Sequence, residues 1–474
     1  MRMPLRLALC LIPLAGWSQA QVPTPPPSAQ DPAGPDDPVL AALIQEALAG
    51  NPDLAQAKAL VDADRERVPQ AKALPDPSLS LGIQNDGFNR IEVGQMETSY
   101  YQVMVTQPLP WPGKRAMRGE VAKLGAEATE ASTERTRLTV EADVRRGYYS
   151  LLLVRGQLRL LDDQALFLKQ AEETARSRYE VGQGSQADLL RAQLERTRLE
   201  QARAQLQAQE RTGLAVLNRV RGAVSDTPIP TRRTLDQVPD PQPAAPDFPA
   251  QAEARSPELK VARIGVQQAE RSLDLARLNR HPDFSVSAGY MPRGGLDPMW
   301  TASVGITLPV WRKSKQDRAV AEQEDRRAAS GWGVEQVRCL LSQRVQERTG
   351  DLDAALRVIR LYRSGLLVQS ENAFRATLAQ YTVGRVPFLS VLEALNGWVA
   401  DQSGLLQAQA QAQAVRIALD ELNLGATPSI AASALPAGSS MGGAAQSPGA
   451  STARAASPSS AGGDSGSSMS SGSM

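Results

Sequence analysis

A phrase of twelve residues occurs twice in this chain, and the repetition constrains the fold more than any other feature of the sequence. YEVGQGSQADLL covers residues 179–190, and YTVGRVPFLSVL covers residues 381–392. Their glycines, Gly182 and Gly384, lie 202 residues apart (384 − 182). The phrase indicates either two unrelated helix ends or a duplicated body, and the flanking sequence distinguishes the two.

Other landmarks recur in the same order around the phrase. NPDL at residue 51 matches SPEL at 256, DPSLSLG at 76 matches HPDFSVSAG at 281, and QPLPWPGKR matches TLPVWRKSK. Several landmarks in one order predict a two-fold internal duplication, because two unrelated helix ends would not share their surroundings. We place the first repeat at residues 39–222 and the second at residues 251–425.

The segments outside the repeats have distinct compositions. Residues 1–20 carry an N-terminal positive charge, a short apolar run and SQA before Gln21, which predicts a cleaved secretory signal. The apolar run is too short for an uncleaved membrane anchor. Pro-rich composition predicts an extended lead-in at 21–38 and a linker at 223–250. The Ser-, Gly- and Ala-rich tail, 426–474, is predicted to be disordered.

Each repeat has the same predicted order of elements. A helix comes first, from Val39 to about Leu74 and from Pro257 to about Asn279. Alternating apolar and polar residues then predict two strands per repeat, near 78–107 and near 283–310, each with one apolar face. A long helix, the repeated phrase and a returning helix follow. No run of 18 apolar residues occurs after the signal, so no transmembrane helix is predicted.

The long helices carry an apolar seam with alternating steps of four and three residues. In the first repeat the seam runs from Val140 to Tyr179, and only Glu172 is charged. In the second it runs from Leu341 to Leu366 and includes Arg348. Sustained spacing of this kind predicts coiled-coil packing. A helix from Lys114 to Arg178 would be about 98 Å long.

The repeated phrase is expected to reverse the chain at the end of each long helix. Gly182 and Gly384 permit a sharp turn. Asp188 and Ser390 suit the N-cap of the returning helix. The phrase therefore predicts the tips of two helical hairpins.

Aromatic residues form only 4 % of the chain, yet six lie around the predicted strands. They are Tyr100, Tyr101, Trp111, Tyr290, Trp300 and Trp311. Such clustering is typical of an outer-membrane barrel girdle, and the alternative is a small water-soluble sheet with buried tryptophans. In lipid, open sheet edges are excluded, and four strands cannot close a barrel. Two copies would supply eight strands with a filled interior, and three would supply twelve with a passage.

Together these features resemble the outer-membrane efflux protein family, the TolC-like channels of Gram-negative bacteria. The resemblance covers residues 39–424, and PLPWPGKR is similar to the branch that serves heavy-metal efflux pumps. It implies a mainly helical protomer with membrane β-strands. Three protomers would share a twelve-stranded outer-membrane β-barrel and an α-helical tunnel through the periplasm.

The resemblance also implies function and partners. The channel would passively conduct substrate from an inner-membrane pump of the RND type, through a periplasmic membrane-fusion adaptor, to the outside. Heavy-metal cations are the expected cargo, and drug or type I protein export are alternatives. A periplasmic adaptor or a coiled-coil scaffold is an alternative of another class. An adaptor would have one hairpin rather than two, and a scaffold would leave the strands unexplained.

Family members dock their adaptor at the hairpin tips and close the tips with acidic rings and links between neighbours. By position, the docking residues would be Val181, Gly182, Ser185, Val383 and Gly384. The gate and pore residues would be Asp188, Arg385, Ser390 and Glu393. Ser390 departs from the acidic residue often found there, so a charge ring at that level is not implied. The structural alternatives are a glycine needed only for the turn and an aspartate that only caps a helix.

Charge and side-chain chemistry favour a channel over an enzyme or a nucleic-acid-binding protein. The 52 Lys and Arg residues nearly balance 51 Asp and Glu residues, whereas nucleic-acid binding requires a basic surface. His281 is the only histidine, and Cys339 is the only cysteine after the signal, so we predict no catalysis, no cofactor and no His/Cys metal site. Met291 and Met299 could bind a soft metal, but methionine more often fills space.

Overall fold

The computed structural model describes residues 37–231 and 233–425. The predicted signal peptide, the lead-in before Asp37 and the predicted disordered tail lie outside the described residues. The first repeat contains α1 Pro38–Gly50, α2 Pro52–Lys72, β1 Ser78–Gln84, β2 Tyr100–Leu109, α3 Lys114–Glu180 and α4 Gln186–Val220.

The second repeat follows the same order. It contains α5 Phe248–Arg255, α6 Pro257–Leu278, β3 Asp283–Arg293, β4 Leu296–Thr307, α7 Gln316–Leu361, α8 Leu367–Thr382 and α9 Phe388–Glu421. The predicted duplication and the four predicted strands are confirmed.

The prediction of a single first helix from Val39 to Leu74 is wrong, because the helix is interrupted at Asn51 and two helices form instead. The Asn51 side chain accepts a hydrogen bond from the Leu54 N–H at 3.0 Å and caps α2, and Pro52 occupies its first position. In the second repeat Ser256 caps α6 in the same way, accepting from the Leu259 N–H at 3.3 Å. NPDL and SPEL are therefore matched helix starts.

The helix α3 has 67 residues without interruption and spans about 100 Å. Most of its predicted seam is buried from Val140 to Ala175. The seam carboxylate, Glu172, is also buried and lies 3.5 Å from a guanidinium nitrogen of Arg196 on α4. The last predicted seam residue, Tyr179, is 46 % exposed, so the seam ends before the tip.

The second long helix is interrupted where the first is not. A π-helical turn, Tyr362–Leu366, joins α7 to α8. A π-turn holds more residues than an α-turn and rotates the residues that follow it. The predicted seam residue Leu366 is accordingly 43 % exposed. Beyond the π-turn, the buried residues of α8 are Phe374 and Tyr381.

Helix α3 is the centre of the helical packing. It contacts α1, α2, α4, α6 and α9, and α7 contacts α6 and α9. The Pro-rich linker also packs here, because Ile229, Leu235 and Val238 are buried against the core that includes Leu151 of α3. Within residues 37–231 and 233–425, no helix combines the length and the hydropathy needed to cross a bilayer.

Candidate membrane sheet and hairpin tips

The four strands form one antiparallel sheet in the order β1–β2–β3–β4. Leu81 pairs with Val103, Val103 with Tyr290 and Tyr290 with Trp300, so these side chains share a face. Among the described residues, β1 and β4 each have one edge without a partner strand. The edges leave backbone N–H and C=O groups free to pair with another chain.

The apolar face of this sheet is exposed, whereas the polar face of its central strands is partly covered. On the apolar face Leu81 is 74 % exposed and Val304 is 71 % exposed. On the opposite face of the two central strands, Gln102, Thr106 and Ser287 are half-buried. An antiparallel sheet in water normally covers its apolar face. The arrangement therefore suits an apolar environment outside the sheet and a polar one on its other side.

Aromatic side chains lie toward the two ends of the sheet. Tyr101, Tyr290 and Trp300 are exposed on the apolar face toward the end where β1 connects to β2. Trp111 and Trp311 follow β2 and β4 at the helical end. Tyr100, predicted with these residues, lies on the polar face because adjacent strand residues point to opposite sides. Its hydroxyl donates a hydrogen bond to Gln84 Oε1 at 2.7 Å.

Trp111 and Lys114 connect the two repeats at the base of the sheet. The Trp111 ring stacks on His281, with centroids 4.9 Å apart, and its backbone N–H donates to Asp283 Oδ1 at 2.8 Å. The Lys114 ammonium donates to the same oxygen at 2.9 Å and to the His281 carbonyl at 3.0 Å. The QPLPWPGKR segment therefore fixes the start of α3 against the start of β3.

The first tip, residues 179–190, ends α3 in a Schellman turn. Gly182 has a φ of 72°, its N–H donates to the Tyr179 carbonyl at 3.0 Å, and the Gln183 N–H donates to the Arg178 carbonyl at 2.8 Å. A side chain at Gly182 would meet open space, so the backbone angle alone favours glycine.

The second tip, residues 381–392, repeats this turn. Gly384 has a φ of 77°, its N–H donates to the Tyr381 carbonyl at 2.9 Å, and the Arg385 N–H donates to the Gln380 carbonyl at 2.9 Å. The repeated Tyr-x-Val-Gly phrase is therefore the sequence pattern of a helix C-terminus.

The predicted helix caps at Asp188 and Ser390 are wrong. Helix α4 is capped by Ser185, whose hydroxyl accepts from the Ala187 N–H at 3.1 Å, and α9 begins after Pro387 without a side-chain cap. Asp188 and Ser390 lie in the first turns of these helices. A carboxylate in a first helical turn still complements the helix dipole.

The residues predicted for docking are all exposed in the chain. They are Val181, Gly182, Ser185, Val383 and Gly384. Of the predicted gate residues, Arg385 and Glu393 are exposed, whereas Asp188 and Ser390 are half-buried. Asp188 lies 3.8 Å from Arg191, and Arg385 makes no ion pair within residues 37–231 and 233–425.

Sequence reasoning missed Arg178, which joins the two tips. Its guanidinium lies 4.9 Å from the centroid of the Tyr381 ring and donates to the Tyr381 carbonyl, and to the Gln183 carbonyl at 3.3 Å. Burial of Tyr381, and to a smaller extent the charge of Asp188, raises the pKa of its hydroxyl. One sequence signal could have indicated Arg178: the repeats differ at this position, where the second repeat has Gln380.

Comparison with known proteins identifies the family that shares this architecture. The family model described as outer membrane efflux protein matches residues 43–223 and 248–423. The cobalt-zinc-cadmium resistance protein CzcC of Cupriavidus metallidurans is 22 % identical over 356 residues, which cover 75 % of this chain and 82 % of CzcC. Protein CyaE of Bordetella pertussis is 27 % identical over 368 residues, covering 72 % of this chain and 73 % of CyaE.

A crystal structure of CusC superposes on this chain with a TM-score of 0.70 and 19 % identity, covering 81 % of this chain and 92 % of CusC. The resemblance in fold covers most of this chain. The chain therefore belongs to the outer membrane efflux protein family and is an outer-membrane efflux channel with a periplasmic helical extension.

Proposed function

We propose that three copies of this chain close a single β-barrel and together form the exit duct of a tripartite efflux system for heavy-metal cations. The free edges of β1 and β4, combined with the exposed apolar face, carry the proposal. Pairing β4 of one copy with β1 of the next would satisfy every edge in lipid. Three copies supply twelve strands, enough for a passage.

Strand length fits this assembly. Strands β2 and β4 have 10 and 12 residues. At about 3.3 Å per residue and a tilt of about 40°, they cover roughly 25–30 Å along the barrel axis. The lipid-facing band of outer-membrane barrels is about 25 Å tall. Tyr101, Tyr290 and Trp300 would lie at one rim and Trp111 and Trp311 at the other.

The hairpin tips would dock a periplasmic membrane-fusion adaptor. Their two turns present exposed Val181 and Val383 beside Gly182 and Gly384, leaving small apolar surfaces for an approaching helix hairpin. The adaptor would in turn connect the duct to an inner-membrane pump of the RND type, which supplies the energy and selects the substrate.

The same tips would form the periplasmic gate. In a trimer, Asp188 and Glu393 would each recur three times around the axis, and rings of carboxylates favour cations. Arg385, which makes no ion pair among the described residues, would pair with a carboxylate of a neighbouring copy. Exposed ion pairs contribute about 0–1 kcal/mol each, which suits a gate that must open.

The cargo assignment is supported by relatives rather than by a binding site. CzcC is named for cobalt, zinc and cadmium resistance, and it aligns with three quarters of this chain. Apart from Tyr100, Pro108 and three methionines, the inner face of the proposed barrel carries mainly Ser, Thr, Gln and Gly residues, which suit a hydrated path.

A deletion strain complemented with this chain tests the proposal. We expect complementation to raise tolerance to zinc, cobalt, cadmium, copper or silver salts, with little change for common antibiotics. Heat-modifiable trimers in the outer-membrane fraction should accompany that tolerance. Restored tolerance to antibiotics alone would identify a drug channel instead, and a monomer in the soluble periplasmic fraction would contradict the channel itself.

A further inference from the structure

Three methionines share the polar face of the sheet. Met291 of β3 pairs directly with Met299 of β4. Met104 of β2 pairs with Gly289, which lies two residues before Met291 on β3 and therefore on the same face. All three side chains are half-buried, whereas Tyr290 and Trp300 on the opposite face are exposed.

Small residues lie between and beside these methionines. Gly289 separates Met104 from Thr301, and a β-carbon there would lie 3.0 Å from Thr301 Cγ2 and 3.7 Å from Met104 Cβ. The Met104 sulfur lies 4.0 Å from Gln102 Nε2 on the same face. Met104, Met291 and Met299 therefore share this face with glycine, serine and threonine residues and with Gln102, whose amide donates to the Met104 sulfur.

The register places Met291 beside Met299 and Met104 one diagonal step from Met291. Directly opposite residues of an antiparallel pair have Cβ atoms about 4.5–5.5 Å apart, and diagonal neighbours about 7–8 Å apart. Met291 and Met299 are opposite each other, and Met104 is diagonal to Met291. Methionine has three rotatable bonds and a polarisable sulfur, so the Met291 and Met299 thioethers can meet on one ion. Met104, which lies two strands from Met299, can approach that ion from the side of Met291.

Neutral thioethers select soft monovalent ions. Methionine sulfur prefers Cu(I) among biological metals, and Ag(I) has the same charge and softness. Arg293 follows two residues after Met291, and its guanidinium donates to the carbonyls of Asp297 and Glu97. Asp297, two residues before Met299, carries a compensating negative charge, so the thioethers themselves determine the preference for a soft ion.

We propose that Met104, Met291 and Met299 form a thioether site for a soft monovalent cation, Cu(I) or Ag(I), on the inner face of the barrel. The site rests on the proposed function, because it specifies which heavy metals the duct would carry. Its lack of charged ligands gives moderate affinity, and conduction requires binding that is weak enough to release the ion.

Silver binding to the purified full chain in detergent tests the site. Every variant carries Cys339→Ser, because the exposed Cys339 thiol would itself bind silver. The test variant replaces all three methionines by leucine, a substitution that conserves volume. The control is Met117→Leu, a half-buried methionine of α3 outside the sheet. The methionines of the tail remain in both and contribute the same background.

Equilibrium dialysis with metal analysis should show about one silver ion fewer per chain in the triple variant than in Met117→Leu. X-ray absorption should show the corresponding loss of silver–sulfur scattering, and zinc binding should not change. Equal silver binding by the two variants would overturn the site. If the triple variant does not assemble, the double variant Met291→Leu/Met299→Leu replaces it and should bind silver about ten-fold more weakly.

Tolerance assays separate this site from the proposed function. In the complemented deletion strain, the triple variant should lower tolerance to silver and leave tolerance to zinc and cobalt unchanged. If the parent chain confers tolerance to no metal while the difference in silver binding stands, the cargo assignment fails and the site is supported. If zinc tolerance is restored while both variants bind silver equally, the site fails and metal efflux stands.

Discussion

The two hairpin tips, residues 179–190 and 381–392, share a backbone turn and differ in the side chains around it. Both end a long helix with a glycine at positive φ and the same pair of backbone hydrogen bonds. Tyr179 of the first tip is 46 % exposed, whereas Tyr381 of the second is 2 % exposed. Tyr381 packs against Phe388, with ring centroids 5.5 Å apart, and Gln186 occupies the equivalent position in the first repeat.

The difference shows which features of the duplicated sequence belong to the turn and which to the contact between the tips. Backbone geometry is common to the copies because only glycine adopts the left-handed angle at little cost. Side chains have diverged so that Arg178, which directly precedes the first tip, contacts the ring and the carbonyl of Tyr381 in the second tip. The tips are therefore complementary rather than equivalent.

The largest effect is expected from blocking both turns. Gly182→Trp combined with Gly384→Trp should reduce metal tolerance of the complemented strain to that of the deletion strain, because bulky rings would cover both docking surfaces. Trimers should persist in the outer membrane, since both glycines are exposed.

The matched control replaces both glycines by asparagine, which tolerates positive φ better than other residues and has a short side chain. This variant should retain most of the tolerance. Normal efflux by the double tryptophan variant would contradict docking at the tips.

The buried aromatic residue of the second tip should matter more than its exposed counterpart. Truncating a large buried aromatic side chain costs about 3–5 kcal/mol. Tyr381→Ala should lower the opening free energy of the second tip by about that amount, and Tyr179→Ala should change the first tip by about 0.5 kcal/mol. Hydrogen exchange of the tip amides measures both. Equal effects would show that the tips are equivalent in the assembled channel.

A smaller effect is expected from removing the contact between the tips. Arg178→Ala deletes a charged donor to the Tyr381 carbonyl and the cation–π contact, together worth about 1–3 kcal/mol. Amides of both tips should exchange faster, although the substitution lies next to the first tip. Gln380→Ala, the equivalent change in the second repeat, serves as control and should leave the first tip unchanged. Faster exchange of the first tip alone would contradict the coupling.

Sequence patterns predicted the repeated order, the four strands, the long helices and the tip turns. Each of these depends on local periodicity or on a backbone angle that needs glycine, so adjacent residues suffice. The π-turn at Tyr362–Leu366 and the helix break at Asn51 were missed. Predicting the π-turn requires knowledge of how the helices pack. The helix break could have been predicted from NPDL, in which an N-cap residue is followed by proline.

The candidate site was less predictable because it depends on contacts between repeats. Arg178 meets Tyr381 across 203 positions of sequence, and no local pattern pairs them. Met104 joins Met291 and Met299 only through the register between β2 and β3. Tyr100 was grouped with Tyr101 because both are aromatic, although strand alternation already places neighbours on opposite faces.

The central claim is that the apolar face of the sheet contacts lipid and the polar face lines a water-filled passage. Spin labels at adjacent positions, Val103→Cys and Gln102→Cys, in a Cys339→Ser background reconstituted in bilayers, test it most directly. We expect the label at 103 to be accessible to oxygen dissolved in lipid and the label at 102 to a water-soluble nickel relaxation agent. Equal access of the nickel agent to both labels, or the reverse order, would contradict the claim.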